Sequence, residues 1–504
     1  MLKNYKYYTK NSLSFDGEVI NEYLDIPYAK SPVGKLRFLP PEEVTEDYSF
    51  KNRPSFLCPN NNNWEVIKNQ NISENNTSED CLVLNIWQPK KTNGGVLVIF
   101  HSQSFPSTLE SLQILNGSIF SYKTSTIVVT ISYRNGALGF SRLNNNKLIS
   151  GNVGLLDQQL ALKWIYQNIP YFNGDPNKIT LFGEGDGAIL ASAHLYSNKS
   201  FQYFKKIILF PGHSSILLNI QKPSKIEINT AALLEHLKCI EKKYNSSLEC
   251  LQNTTLPNIF ESVKNIKRKF NYLLTSPFTI SNEDNHFFKD KLEKIIKNGS
   301  FKKNVDIFVG SLTNKNLSFT INHIKDEGCY FNSISPNVHC FFNQEQYINI
   351  LYKMIHKMLR IDKYDRKLKY YIKKKSYDKI TNLVAEYLHN YNLIKFAKTF
   401  KNIFNKRIYS YSIETNFKFE EYPYQAEITN DNLLKYIFGF YFKNPSIPVD
   451  KNIREQQNFS LKLMLSLTKF ILHGDVNKQS FNLTKVTWIN EKINPKNIVI
   501  QHTS

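Results

Sequence analysis

The sequence predicts an α/β fold with a large central, mostly parallel sheet flanked by helices, and three observations carry that reading. Short apolar runs rich in β-branched residues recur, a helix-periodic stretch separates two of them, and one run passes through a glycine-rich turn into a helical pattern. Residues 96–100 (VLVIF) form the first run and residues 126–132 (TIVVTIS) the second. An apolar run without alternation suits a strand covered on both faces, as in a parallel sheet. The next stretch sets Leu155, Leu156, Gln159, Leu162, Lys163 and Tyr166 at helical spacing, and residues 179–182 (ITLF) follow as a third run. Strand, helix, strand in that order predicts a parallel crossover. Residues 206–210, 305–310 and 408–412 continue the strands, with helical patterns at 256–272, 345–360 and 376–404.

At about 150 residues per domain, 504 residues would make about three domains. No Gly/Ser- or Pro-rich linker and no internal repeat divides the chain, so one domain over 1–504 is expected, with loose ends at 1–14 and 496–504. A composition 41% hydrophobic and 13% aromatic excludes a disordered chain. No apolar run is long enough for a transmembrane helix, and the first residues lack the apolar core of a secretion signal. Sixty-four Lys+Arg against 43 Asp+Glu leave +21. Lys, Asn, Ile, Tyr and Phe are over-used together, as AT-rich coding produces without functional demand. The densest basic stretch, 363–375, reads as an exposed helix face with Tyr370, Tyr371 and Ile372 turned inward. No zinc-finger spacing or RNA-binding signature accompanies it, so no nucleic acid, metal or cofactor is predicted.

The segment KITLFGEGDGAILASAHLYS runs strand, tight turn, helix. That is the context of a nucleophile elbow, G-x-S-x-G. Gly183 and Gly187 hold the outer positions, and Gly185 stands where a serine hydrolase carries its hydroxyl. At this point a resemblance emerges. YLDIPYAKSPVGKLRFLPPE (23–42), TSEDCLVLNIWQP (77–89), ISYRNGALGF (131–140), GNVGLLDQQLALKW (151–164) and NGDPNKITLFGEGDGA (173–188) follow one another in order. With LHGDVN (472–477) and Trp488, they resemble the type-B carboxylesterases, the cholinesterase–neuroligin branch of the α/β-hydrolases, over nearly the whole chain. The resemblance implies the α/β-hydrolase fold, a buried salt bridge of Arg37 with Glu79, and a second of Arg134 with Asp157. Glu184 is retained beside the elbow.

The catalytic positions depart from that family. Acyl transfer needs a nucleophile, a base beside it and an acid orienting the base. Gly185 supplies no nucleophile. The base position, seven residues after Pro423 and nine before Gly439, holds Asn430, an amide that takes no proton near neutral pH. The acid position is Glu327 by motif (IKDEGCYF) or Asn316 by distance from the preceding strand. The family's oxyanion turn, His-Gly-Gly-Gly-aromatic, is here His101-Ser102-Gln103-Ser104-Phe105, and the third donor falls on Asp186. These departures predict a non-catalytic relative, not an enzyme, that binds a protein partner or a small apolar or ester-like ligand. The alternative is a residual carboxylic ester hydrolase with a relocated nucleophile, Ser214 or Ser215 beside His213.

Six cysteines allow 15 connectivities. The resemblance implies Cys58 with Cys81 and Cys239 with Cys250, leaving Cys329 and Cys340 for a local bridge. Paired cysteines predict an extracellular or secreted protein, with a cytoplasmic location as the alternative. Eleven N-x-S/T sequons are present, several of them in the Asn-rich stretch 60–76. Trp64 in that stretch is spaced wrongly for the family's choline-binding tryptophan and reads as a loop aromatic. Residues 459–472 (FSLKLMLSLTKFIL) form an apolar helix whose Leu463, Met464, Leu467, Phe470 and Ile471 share a face. Core packing is the first reading of that face and a two-fold homodimer the second.

Overall fold

Ten of the chain's strands pair into one sheet in the order β1-β2-β3-β5-β4-β8-β9-β10-β13-β14 among the described residues. The computed structural model describes residues 9–15, 18–44, 58–59, 78–101, 115–143, 148–210, 220–240, 244–270, 272, 276–312, 329–332, 335–340, 370, 408–413, 430–442, 451–475 and 486–489. The strands are β1 (Thr9–Phe15), β2 (Glu18–Pro27), β3 (Val83–Pro89), β4 (Val96–Phe100), β5 (Ile127–Ile131), β6 (Arg142–Leu143) and β7 (Ile149–Ser150). They continue with β8 (Ile179–Glu184), β9 (Lys206–Phe210), β10 (Asp306–Leu312), β11 (Cys329–Asn332), β12 (Ser335–Cys340), β13 (Ile408–Ile413) and β14 (Val486–Ile489). From β5 through β13 every pairing in the sheet is parallel. The edges are antiparallel, β1–β2–β3–β5 at one side and β13–β14 at the other.

The apolar runs have the physical reason expected of them. Along β4, Val96, Val98 and Phe100 enter one core, while Leu97 and Ile99 enter a second on the opposite face. Every residue of β4, β5, β8 and β9 is buried. Each buried Val, Leu, Ile or Phe side chain contributes about 1.5–3 kcal/mol, which leaves no room for alternation. The helices are α1 (Ser118–Thr124), α2 (Gly136–Phe140), α3 (Val153–Asn168), α4 (Asp186–Ala193) and α5 (Pro223–His236). They continue with α6 (Tyr244–Asn253), α7 (Leu256–Lys269), α8 (Leu292–Lys297), α9 (Asn430–Ile437) and α10 (Lys451–His473). Helices α3, α4, α5 and α7 supply the first core and α1, α9 and α10 the second.

Several expectations change here. Residues 9–14, expected to be a loose end, belong to β1, which pairs along the outer edge of β2. In α3 the buried stripe is rotated from the one apolar periodicity suggests. Leu155 and Leu162 are buried, but Leu156, Gln159, Lys163 and Tyr166 are only half-buried. Asp157 and Gln158 turn inward with Ala161 and Ile165 because each finds a polar partner there. Tyr370, expected to face inward, is 57% exposed. On α10, Leu463, Met464, Leu467, Phe470 and Ile471 are all at most 1% exposed. Their own chain covers them, so this face is core and is not available to a two-fold partner. Among the described residues no helix is long and apolar enough to cross a membrane.

Candidate active site

Strand β4 lies between β5 and β8, so the crossover from β4 to β5 and the next, from β5 to β8, run in opposite directions along the sheet. In open α/β sheets such a switch leaves a crevice beyond the carboxyl ends of the strands, where ligands bind. Phe100, the last residue of β4, stands opposite Gly183 in β8. The chain then turns at Gly185, with φ 55° and ψ −124°, and enters α4. A side chain in that region of backbone space is strained by about 1–3 kcal/mol, so the turn keeps the conformation of an elbow while carrying no hydroxyl. The Gly185 N–H donates to the Phe210 carbonyl at 2.8 Å, tying the turn to the end of β9. The outer glycines are required by contact. A Cβ on Gly183 would lie 2.5 Å from the Gly187 carbonyl oxygen, and one on Gly187 would lie 2.0 Å from that of Phe100.

Around the turn stand His101, Tyr133, Glu184 and Asp186. The buried Tyr133 hydroxyl donates to the His101 carbonyl, and the two rings stack with centroids 5.1 Å apart. Burial raises the Tyr133 phenol well above its ordinary range, and the negative charges of Asp186 and Glu184 add to the rise. The phenol therefore keeps its proton and serves as a donor, fixing the His101 backbone just beyond β4. Glu184 is 4% exposed at the end of β8. Asp186 is half-buried in the first turn of α4, where the helix N-terminus favours a carboxylate. Asn430 is the first residue of α9, and its side chain lies outside the described residues. Ser102, Gln103, Ser214, Ser215, Asn316, Glu327 and Trp64 also lie outside them.

Both expected ion pairs form. Arg37 Nε donates to Glu79 Oε1 at 2.7 Å, and its Nη1 donates to the Gln252 carbonyl at 2.8 Å. It thereby pins the 23–42 segment against the end of α6. Arg134 meets the fully buried Asp157 through two bonds, at 2.8 and 2.6 Å, and donates to the Leu39 carbonyl at 2.8 Å. The bridges Cys58–Cys81 and Cys239–Cys250 are present. Cys329 and Cys340 face each other in the β11–β12 register.

Two buried networks were not anticipated. His194, directly after α4, contacts Ser200 Oγ through Nδ1 at 2.9 Å and Gln158 Oε1 through Nε2 at 3.2 Å. Burial lowers its pKa to about 3. Its one sequence signal is a polar residue ending the apolar helix AILASAH. Asp284 accepts from the backbone N–H groups of His286 and Phe287 at 2.7 Å each, and from the Asn152 amide. Burial raises its carboxyl, against the lowering effect of those hydrogen bonds. No cluster of three metal-ligating side chains occurs among the described residues.

The sequence pattern of the carboxylesterase family matches residues 10–500. A cholinesterase from Mus musculus is 27% identical over 496 residues, covering 93% of this chain and 77% of that protein. Acetylcholinesterase 4 of Caenorhabditis briggsae is 33% identical over 64% of the chain, and an acetylcholinesterase of Bungarus fasciatus is 32% identical over 63%. The chain spans about half the length of these last two, 52% and 51%. These matches correct the expectation that the protein is not an enzyme. The family is one of carboxylesterases and the relatives carry esterase names, so the missing hydroxyl at Gly185 does not license a reading of inactivity. With the fold, the elbow and both ion pairs in place among the described residues, and the family pattern matched over 10–500, the chain belongs to the carboxylesterase family.

Proposed function

We propose that this protein hydrolyses small carboxylic esters in the crevice at the ends of β4, β8 and β9, with an attacking hydroxyl that does not come from residue 185. The observation carrying the reading is the bond from the Gly185 N–H to the Phe210 carbonyl. Ser214 and Ser215 follow Phe210 by four and five residues, with His213 beside them. A serine and a histidine in that segment supply the nucleophile and base that acyl transfer requires. The +21 net charge favours neutral or anionic esters over cationic choline esters. Two formed disulfides support an oxidising, extracellular setting.

The test is peptide mapping of the full chain after treatment with a fluorophosphonate, alongside turnover of 4-nitrophenyl butyrate and of a choline ester. Label on Ser214 or Ser215, lost with turnover in the Ser214→Ala/Ser215→Ala double variant, is the expected result. Turnover equal to buffer, or label on a serine remote from this crevice, refutes the proposal.

A further inference from the structure

We propose that His194 is the positioning residue of the elbow: a neutral imidazole carrying its proton on Nε2, which fixes α4 and the end of β4 from behind. The polarity follows from the partners. Gln158 Oε1 can only accept, so Nε2 donates to it, at 3.2 Å, and Nδ1 must accept. The Ser200 hydroxyl, 2.9 Å away, then donates to Nδ1. Ser200 Oγ in turn accepts from Gln159 Nε2 at 2.8 Å. The bonds run in one direction, from Gln159 through Ser200 and His194 to Gln158. Gln159 also donates to Ser197 Oγ, whose own proton goes to the Phe287 carbonyl at 2.8 Å.

The position of this chain of bonds gives it a role. The His194 ring lies 5.5 Å from that of Phe100 and meets Phe287 edge-on at 5.1 Å. Phe100 ends β4, and its carbonyl is the atom against which Gly187 packs. One imidazole thus joins the elbow helix, α3, the strand leading into the oxyanion segment and the turn at Phe287. His194 and Ser200 have the contact of a catalytic pair, but both are 0% exposed. No ester reaches them, so the pair acts on the position of the elbow and does not perform the chemistry.

Hydrogen–deuterium exchange of the full chain, read by peptide mass, tests this without relying on ester turnover, so failure here and failure of the proposed hydrolysis are separate results. His194→Phe keeps a ring but removes both bonds. Exchange should quicken about tenfold or more in peptides covering 97–101 and 183–193, as loss of about two net hydrogen bonds implies. Peptides in β2 and β3 should stay unchanged. His194→Gln, which restores a donor toward Gln158, should return exchange to within about threefold of wild type. Should His194→Phe not fold, Ser200→Ala removes one link and should produce a smaller acceleration in the same peptides. Unchanged elbow exchange in whichever variant folds, or acceleration equal in β2 and β3, overturns the proposal.

Discussion

Lowering the pH from 8 to 5 protonates a histidine in the unfolded chain but leaves His194 neutral in the fold. The ordinary imidazole pKa is 6.5, and burial brings that of His194 to about 3. Its contacts with Gln158, Ser200, Phe100 and Phe287 bring no charge to offset the desolvation. Above pH 6.5 both states carry the neutral ring, and the full contribution to stability is present. Between pH 6.5 and about 3 only the unfolded state binds the proton, so stability falls as pH falls, by about 1.4 kcal/mol per unit. At pH 5 the loss relative to pH 8 is about 2 kcal/mol. Asp284 acts in the opposite sense: its raised carboxyl makes the folded state the better proton acceptor at low pH. That contribution is common to wild type and to His194→Gln, so it cancels in their difference. Urea unfolding of both proteins at pH 8, 7, 6 and 5 isolates the histidine. Wild type should lose about 2 kcal/mol more than the variant over this range. Identical pH dependence in the two would refute the assignment of a neutral buried imidazole.

Other consequences follow from contacts. Gly187→Ala places a methyl against the Phe100 carbonyl, 2.0 Å from its oxygen, and should destabilise the protein by about 3 kcal/mol in urea unfolding. Asp157→Asn leaves Arg134 buried without its counter-charge and should cost about 3–5 kcal/mol by the same assay, far more than loss of the exposed Lys30–Glu42 pair. Peptide mapping without reduction should recover Cys58–Cys81 and Cys239–Cys250. A third linked pair, Cys329 with Cys340, is expected because residues opposed in an antiparallel register lie about 4.5–5.5 Å apart at Cα.

What the sequence revealed, and what it did not, divides along physical lines. Strands β4, β5, β8 and β9 are legible because burial on both faces demands apolar residues at every position. The elbow is legible because backbone approach at Gly183 and Gly187 excludes any Cβ. The orientation of α3 is not, because periodicity registers apolar residues, whereas its inward face carries Asp157 and Gln158. Their partners, Arg134 and His194, stand 23 and 36 residues away. The His194 network is hidden for the same reason, since each link joins residues that no local spacing connects. Strand β1 escaped notice because TKNSLSF is too polar to announce burial, and its edge position requires little.

Ester hydrolysis by this protein requires a serine outside the elbow, because Gly185 carries no hydroxyl. Fluorophosphonate labelling of the purified full chain, located by peptide mass and paired with 4-nitrophenyl butyrate turnover, tests it most directly. The account predicts one labelled serine, at 214 or 215, and turnover above buffer that disappears when both are alanine. Turnover equal to buffer, or label on a serine other than 214 or 215, would contradict it.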